Sequence, residues 1–171
     1  MRYDAKEFHV VHDPARVTEE ELLQAVRVQS DESGGNFLPS IGSQAAAPEP
    51  EPLTPEERAR VDVETISHGE AVDLEQHLVA GKFTVVDFYA DWCGPCSILG
   101  KELERLALER EDVAIRKVDI VDWKTPVAKQ ATEVYELPGL PYLRVYGPEG
   151  ELLGAVDRND IQAVRALVEG R

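Results

Sequence analysis

The chain has 171 residues, 33 acidic against 18 basic, two cysteines and a formal net charge of −15. This length suits one domain or one with an appendage, and an apolar share of 43% with 30% charged residues excludes collagenous, wholly disordered and disulfide-framework classes. Two cysteines cannot form a four-cysteine zinc site, and the negative charge repels nucleic acid and anionic membrane surfaces.

Residues 1–29 read as a strand–helix appendage. Phe8, Val10 and Val11 form a short β-rich run, and Asp13-Pro14 marks a turn. Thr18 is an N-cap, with Glu21 three residues on completing a capping box. Leu22, Leu23, Val26 and Val28 then recur near helical spacing. One strand and one helix cannot close a core alone. Such a piece docks, dimerises or is the remnant of something larger. An unpaired Phe8–Val11 strand invites pairing, so a homodimer through the appendage is open. The string V-V-H-D-P-A-R-V-T-E-E-E-L-L-Q-A-V resembles the last strand and helix of a heavy-metal-associated domain. That family's metal-binding Cys-x-x-Cys has no counterpart before Cys93, so the resemblance implies a half-fold and no metal site. His9 and His12 fall on opposite faces of an extended strand and read as surface residues.

Residues 30–54 are rich in Gly, Ser, Pro and Ala and bury too little to offset their ordering entropy. They read as a linker, with Pro48-Glu49-Pro50-Glu51-Pro52 an extended spacer. Phe37, Leu38 and Ile41 are its candidates for docking. The charge is spread evenly, net −6 over 1–60 and −9 over 61–171, so the acidity is not a tail.

Residues 55–171 read as the main domain. Thr54-Pro55-Glu56-Glu57 starts a short helix to about Val61. Val63–Ser67 is a strand, and Ala71–Val79 a helix ended by Gly81. Phe83 to Tyr89 is a β-branched and aromatic run, expected as a strand buried on both faces. A long helix runs from Pro95 to about Glu109, and Val113–Ile120 is a strand. Thr125-Pro126 caps a helix to about Val134. Leu143–Tyr146 and Leu152–Val156 are strands joined by the turn Gly147-Pro148-Glu149-Gly150. Asp157 or Asn159 caps a last helix to Val168. Trp123 is expected to pack, and His68 and His77 to lie on the surface near helix ends.

No stretch approaches the ~20 apolar residues of a membrane span. With Met1 as the start, the charged N-terminus is no secretory signal, and a cytoplasmic protein is expected. In a reducing compartment a close cysteine pair reads as catalytic or metal-binding rather than structural.

The chemistry sits in Trp92-Cys93-Gly94-Pro95-Cys96, which follows a strand and opens a helix. Two cysteines at i and i+3 on a first turn share a face and can close a disulfide. Unpaired N–H groups and the helix dipole favour a thiolate at Cys93. Cys96, a turn further in, keeps its proton longer. Cys93 is therefore the expected nucleophile on a substrate disulfide and Cys96 the resolving thiol. Gly94 allows a substrate backbone to approach, and Pro95 stiffens the turn. Structural zinc would need two further ligands nearby.

The stretch V-V-D-F-Y-A-D-W-C-G-P-C resembles the signature of the thioredoxin family, and Gly139-Leu140-Pro141 resembles its cis-proline loop. The resemblance covers about Val61 to Val168. It implies an α/β thioredoxin fold, a mixed central sheet flanked by helices. It implies that Asp87, a costly carboxylate in an apolar strand, shuttles protons for the resolving thiol, with a pKa raised by burial. Lys117 matches the lysine beside that carboxylate, though Arg116 adjoins it. Pro141 matches the cis-proline that presents the Leu140 backbone to an extended substrate. Trp92, Gly94, Leu140 and Pro141 would form the apolar patch around the dithiol. Tyr89 replaces a common tryptophan and should buttress the site loop.

Three departures stand out. Lys101 follows Gly100 where the family has a kinking proline, so the helix should be straighter. Ser97 replaces a lysine, and Asp157 stands near the end of the last strand, where a small glycine is usual. The expected activity is protein-disulfide reduction with no metal or organic cofactor. The expected partners are disulfide-containing client proteins and an electron donor of the thioredoxin-reductase type. The alternative is a dedicated partner-binding or redox-switched module with little general reductase activity.

Overall fold

A computed structural model describes residues 16–27 and 50–169. The chain divides into two units, Met1–Ala47 and Pro48–Arg171. In the first, helix α1 (Glu19–Arg27) starts at the expected capping box. The Thr18 N–H donates to Glu21 Oε2 at 2.8 Å, and the Glu21 N–H to Thr18 Oγ1 at 3.3 Å. The expected strand at Phe8–Val11, His9, His12, the strand half of the heavy-metal-associated resemblance and residues 30–49 of the linker lie outside the described residues.

The second unit opens with α2 (Pro55–Arg58), β1 (Asp62–His68) and a single 3₁₀ turn at Leu74–His77. It continues with β2 (Phe83–Tyr89), α3 (Gly94–Glu109), β3 (Val113–Asp119) and α4 (Pro126–Val134). It closes with β4 (Tyr142–Tyr146), β5 (Leu152–Val156) and α5 (Ile161–Glu169). The sheet order is β1-β3-β2-β4-β5. β1, β3 and β2 run parallel, β4 runs antiparallel to β2, and β5 runs antiparallel to β4. This is the expected mixed sheet, with β2 at its centre.

Alternation along β2 splits the core in two. Val86 and Phe88 join Val127, Ala128 and Ala131 of α4 on one face. Val85 joins Leu99, Leu103 and Leu106 of α3 and Val164 and Val168 of α5 on the other. Residues 84–88 of β2 are therefore buried on both faces, as expected of a central strand.

Three expectations on this unit are corrected. The helix expected over Ala71–Val79 is only the 3₁₀ turn. The Gln130 side chain donates to Val72 O at 2.8 Å and accepts from Val72 N at 2.9 Å. Both backbone groups are satisfied without a helix, and the Asp73 carboxylate caps only the short turn. Helix α2 stops at Arg58, short of Val61, because the chain enters the sheet at Asp62. The cap of α5 is Asp160, whose Oδ1 accepts from the Ala163 N–H at 3.0 Å, rather than Asp157 or Asn159.

Among the described residues, both core clusters draw on the stretch from Val61 to Val168. Deletion of residues 1–47 is thus expected to leave one cooperative thermal transition, read by circular dichroism. Loss of that transition would show that the first unit completes the core.

Candidate active site

Helix α3 begins where β2 ends, so its first turn sits at the C-terminal edge of the parallel strands. Cys93 is the N-cap, and its Sγ accepts from the Cys96 N–H at 3.3 Å. That bond serves one of the backbone donors a helix start leaves unpaired. Cys93 and Cys96 form a disulfide, with Cα atoms 5.3 Å apart. Both cysteines are buried, while Gly94, Pro95 and Ser97 are exposed. Helix α3 runs from Gly94 to Glu109 without interruption, through Gly100 and Lys101.

The peptide bond Leu140–Pro141 is cis. Tyr142 pairs with Phe88 across the β2–β4 ladder. Continued by one and two residues, that register sets Pro141 opposite Tyr89 and Leu140 opposite Ala90, three residues before Cys93. Pro141 is buried and Leu140 partly so. Val156 pairs with Leu143, so Asp157, exposed and next to Arg158, stands at the same end of the sheet.

Trp92 is 57% exposed, and its indole N–H donates to Val121 O at 2.7 Å. The expectation that Trp123 packs is corrected. It is 49% exposed, with its ring centroid 6.2 Å from that of Trp92. The loop beneath the pair is strained. Val121 sits at φ 58, a left-handed conformation unfavourable for a β-branched residue. The buried Asp119 carboxylate holds it there, taking the Val121 N–H at 2.8 Å. His68 Nδ1 lies 2.7 Å from the other Asp119 oxygen. His68 is exposed as expected, at a strand end rather than a helix end, and His77 is half-buried.

Asp87 follows Val85 by two residues and shares its face of the sheet, the face that α3 covers. It is 1% exposed, and neither carboxylate oxygen has a hydrogen-bond partner. Burial lifts its pKa from 3.8 to about 6, against a smaller opposing pull from Lys117. Lys117 is the direct register partner of Asp87 on β3. Arg116 points to the opposite face, where it pairs with Asp62 at 2.8 Å and donates to His77 O. Alternation thus separates the two neighbouring cations and leaves Lys117 with the site.

A cavity of about 290 Å³ opens beside the disulfide. Cys96, Tyr89, Gly100 and Lys117 line it, with Arg58, Lys101, Asp91 and Glu104 supplying further charge. The cavity brings Cys96 and Lys117 into one space. Among the described residues, no group of three His, Cys, Asp or Glu side chains is placed to hold a metal ion. No helix among them is long and apolar enough to cross a membrane.

Comparison with known proteins gives a consistent picture. The thioredoxin family profile matches residues 66–166. A thioredoxin of Mycoplasmoides gallisepticum is 33% identical over 94 residues, covering 53% of this chain and 88% of its own. The solved thioredoxin of Trichomonas vaginalis superposes with a TM-score of 0.50 at 27% identity, over 65% of this chain and 96% of that one. The fold is also that of a thioredoxin f2 solved in complex with ferredoxin:thioredoxin reductase, at TM-score 0.51 and 18% identity, over 65% of this chain and 96% of that one.

The buried carboxyl ties stability to pH. An unfolded Asp87 loses its proton near 3.8 and the folded one at about 6. Its contribution is most favourable below the lower value, falls as pH rises between the two, and is lost in full above the upper one. That gap corresponds to about 3 kcal/mol. Asp87→Asn is expected to raise the urea-unfolding free energy of the oxidised protein by about 2–3 kcal/mol near neutral pH. The gain should vanish below pH ~4. A destabilised Asn variant at neutral pH would contradict this account of the site.

Proposed function

We propose that electrons flow from this protein to its clients, on the premise that the chain belongs to the thioredoxin family and is a protein dithiol–disulfide oxidoreductase. The observation that carries the mechanism is Cys93 Sγ at the N-cap of α3 with Cys96 one turn inside. In the reduced protein the Cys96 N–H and the helix dipole stabilise a Cys93 thiolate. That thiolate attacks one sulfur of a client disulfide, forms a mixed disulfide and expels the other client sulfur as a thiolate. The Cys96 thiol then gives its proton to Asp87 and attacks Cys93 Sγ. The client leaves with both sulfurs reduced, and Cys93–Cys96 is closed as seen here. Two electrons have passed from the dithiol to the client.

Asp87 suits the proton step because its pKa of about 6 leaves it ionised yet basic near neutral pH. Lys117 tempers that basicity. Leu140 and Pro141 present a backbone edge to an extended client segment, as in strand-addition recognition. Trp92 supplies the apolar wall with Gly94 and Pro95, and the half-exposed Trp123 extends it. Asp157 at the same end of the sheet disfavours acidic clients.

The dithiol is regenerated by a protein electron donor. A reductase of the kind complexed with thioredoxin f2 supports that reading. The mechanism uses no metal or organic group. It operates in a reducing compartment, where a close cysteine pair is kept as a dithiol.

Insulin reduction under dithiothreitol tests the activity. The protein should accelerate insulin precipitation well over buffer, and Cys93→Ser should abolish the acceleration. Cys96→Ser should trap a mixed disulfide through Cys93. No acceleration, or a trap found through Cys96 in the Cys93→Ser variant alone, would overturn the assignment.

A further inference from the structure

The Lys117 ammonium lies over the face of the Tyr89 ring, with Nζ 4.5 Å from the centroid. The sheet register explains how the ring gets there. Thr65 on β1, Lys117 on β3 and Asp87 on β2 are successive partners across the ladder. Tyr89 is two residues beyond Asp87 on the same strand and so shares its face. Thr65, across β3, is among the groups that act on its hydroxyl. The side chain therefore lies along the face of β3 that carries Lys117, with the ammonium over its ring. Gly100 of α3 also adjoins the ammonium, since a Cβ there would lie 3.6 Å from Nζ.

We propose that Tyr89 is a positioning residue, whose ring, together with the bare backbone of Gly100, forms a seat that holds the Lys117 ammonium beside Asp87. The seat deepens the reading above, since it rests on Asp87 as the acceptor of the Cys96 proton. A ring face attracts a cation most strongly where water is partly excluded, and Tyr89 and Lys117 are both part-buried. The charges facing the seat come from every neighbouring element. Asp87 and Asp91 stand on or just after β2, Asp119 on β3, Arg58 on α2, and Lys101 and Glu104 on α3. Lys117 is the cation that acts on Asp87. Where its ammonium rests therefore sets how readily the carboxylate takes a proton.

Two readouts test the seat. In proton NMR the ε-methylene of Lys117 should show an upfield ring-current shift in the wild type and in Tyr89→Phe, and lose it in Tyr89→Leu. In a pH series of the resolution step, followed by release of a client thiol from a preformed mixed disulfide, Tyr89→Leu should move the midpoint upward by roughly half a unit. Tyr89→Phe, which keeps the ring, should stay near the wild-type midpoint. Tyr89→Leu should add no shift in a Lys117→Met background. A purely structural role would lower stability and rate without moving the midpoint. An unshifted Lys117 ε-methylene in the wild type, or an unchanged midpoint in Tyr89→Leu, would overturn the seat. If Asp87→Asn keeps the full pH dependence, the Asp87 reading fails, and the ring-current result then decides the seat alone.

Discussion

A carboxylate without a hydrogen-bond partner, sealed in the middle strand of the sheet, is the constraint around which this domain is arranged. Asp87 lies between β3 and β4 with both oxygens unsatisfied. Such a group is tolerated only when neutral, when close to a countercharge, or when it has a task. Here all three apply at different pH values. Below about 6 the group is neutral, and above it Lys117 is the countercharge at hand. Val85, Val86 and Phe88 beside it are fully buried, which keeps water from Asp87. The same apolar run makes the strand stable enough to absorb the cost.

The disulfide is placed by the same strand. Because α3 starts directly after β2, its dithiol stands over the sheet face that carries Asp87. The N-cap geometry makes the two sulfurs unequal. One meets a helix N-terminus, while the other meets the cavity with Lys117. The cis-proline loop and the Trp92–Trp123 pair are the surfaces to which we assign client recognition. The strained Val121 turn links these regions, since its carbonyl orients Trp92 while its N–H is held by Asp119.

Much of this was legible in the sequence because local and tertiary signals agree. The β-branched run from Phe83, the Thr125-Pro126 cap and the Gly147–Gly150 turn each specify their element with little help. The dithiol, Asp87 and Pro141 stood out by motif. What failed did so where a distant group overrides local preference. The Ala71–Val79 segment has helical composition, yet Gln130, 58 residues on, takes both backbone groups of Val72. Trp123 carries no local sign that it will lie open beside Trp92. Whether Lys117 or Arg116 faces the site is a matter of strand parity, which the register supplies and adjacency cannot. The Tyr89 seat was hidden for the same reason, since it depends on three strands lying in order.

The most direct test of the account is a ¹³C NMR titration of the Asp87 carboxyl in the oxidised protein. The account predicts a midpoint of about 6, far above the ordinary value of 3.8. A carboxyl titrating near 3.8 would mean that Asp87 is solvated or paired, and would contradict both the stability argument and the proton route to Cys96.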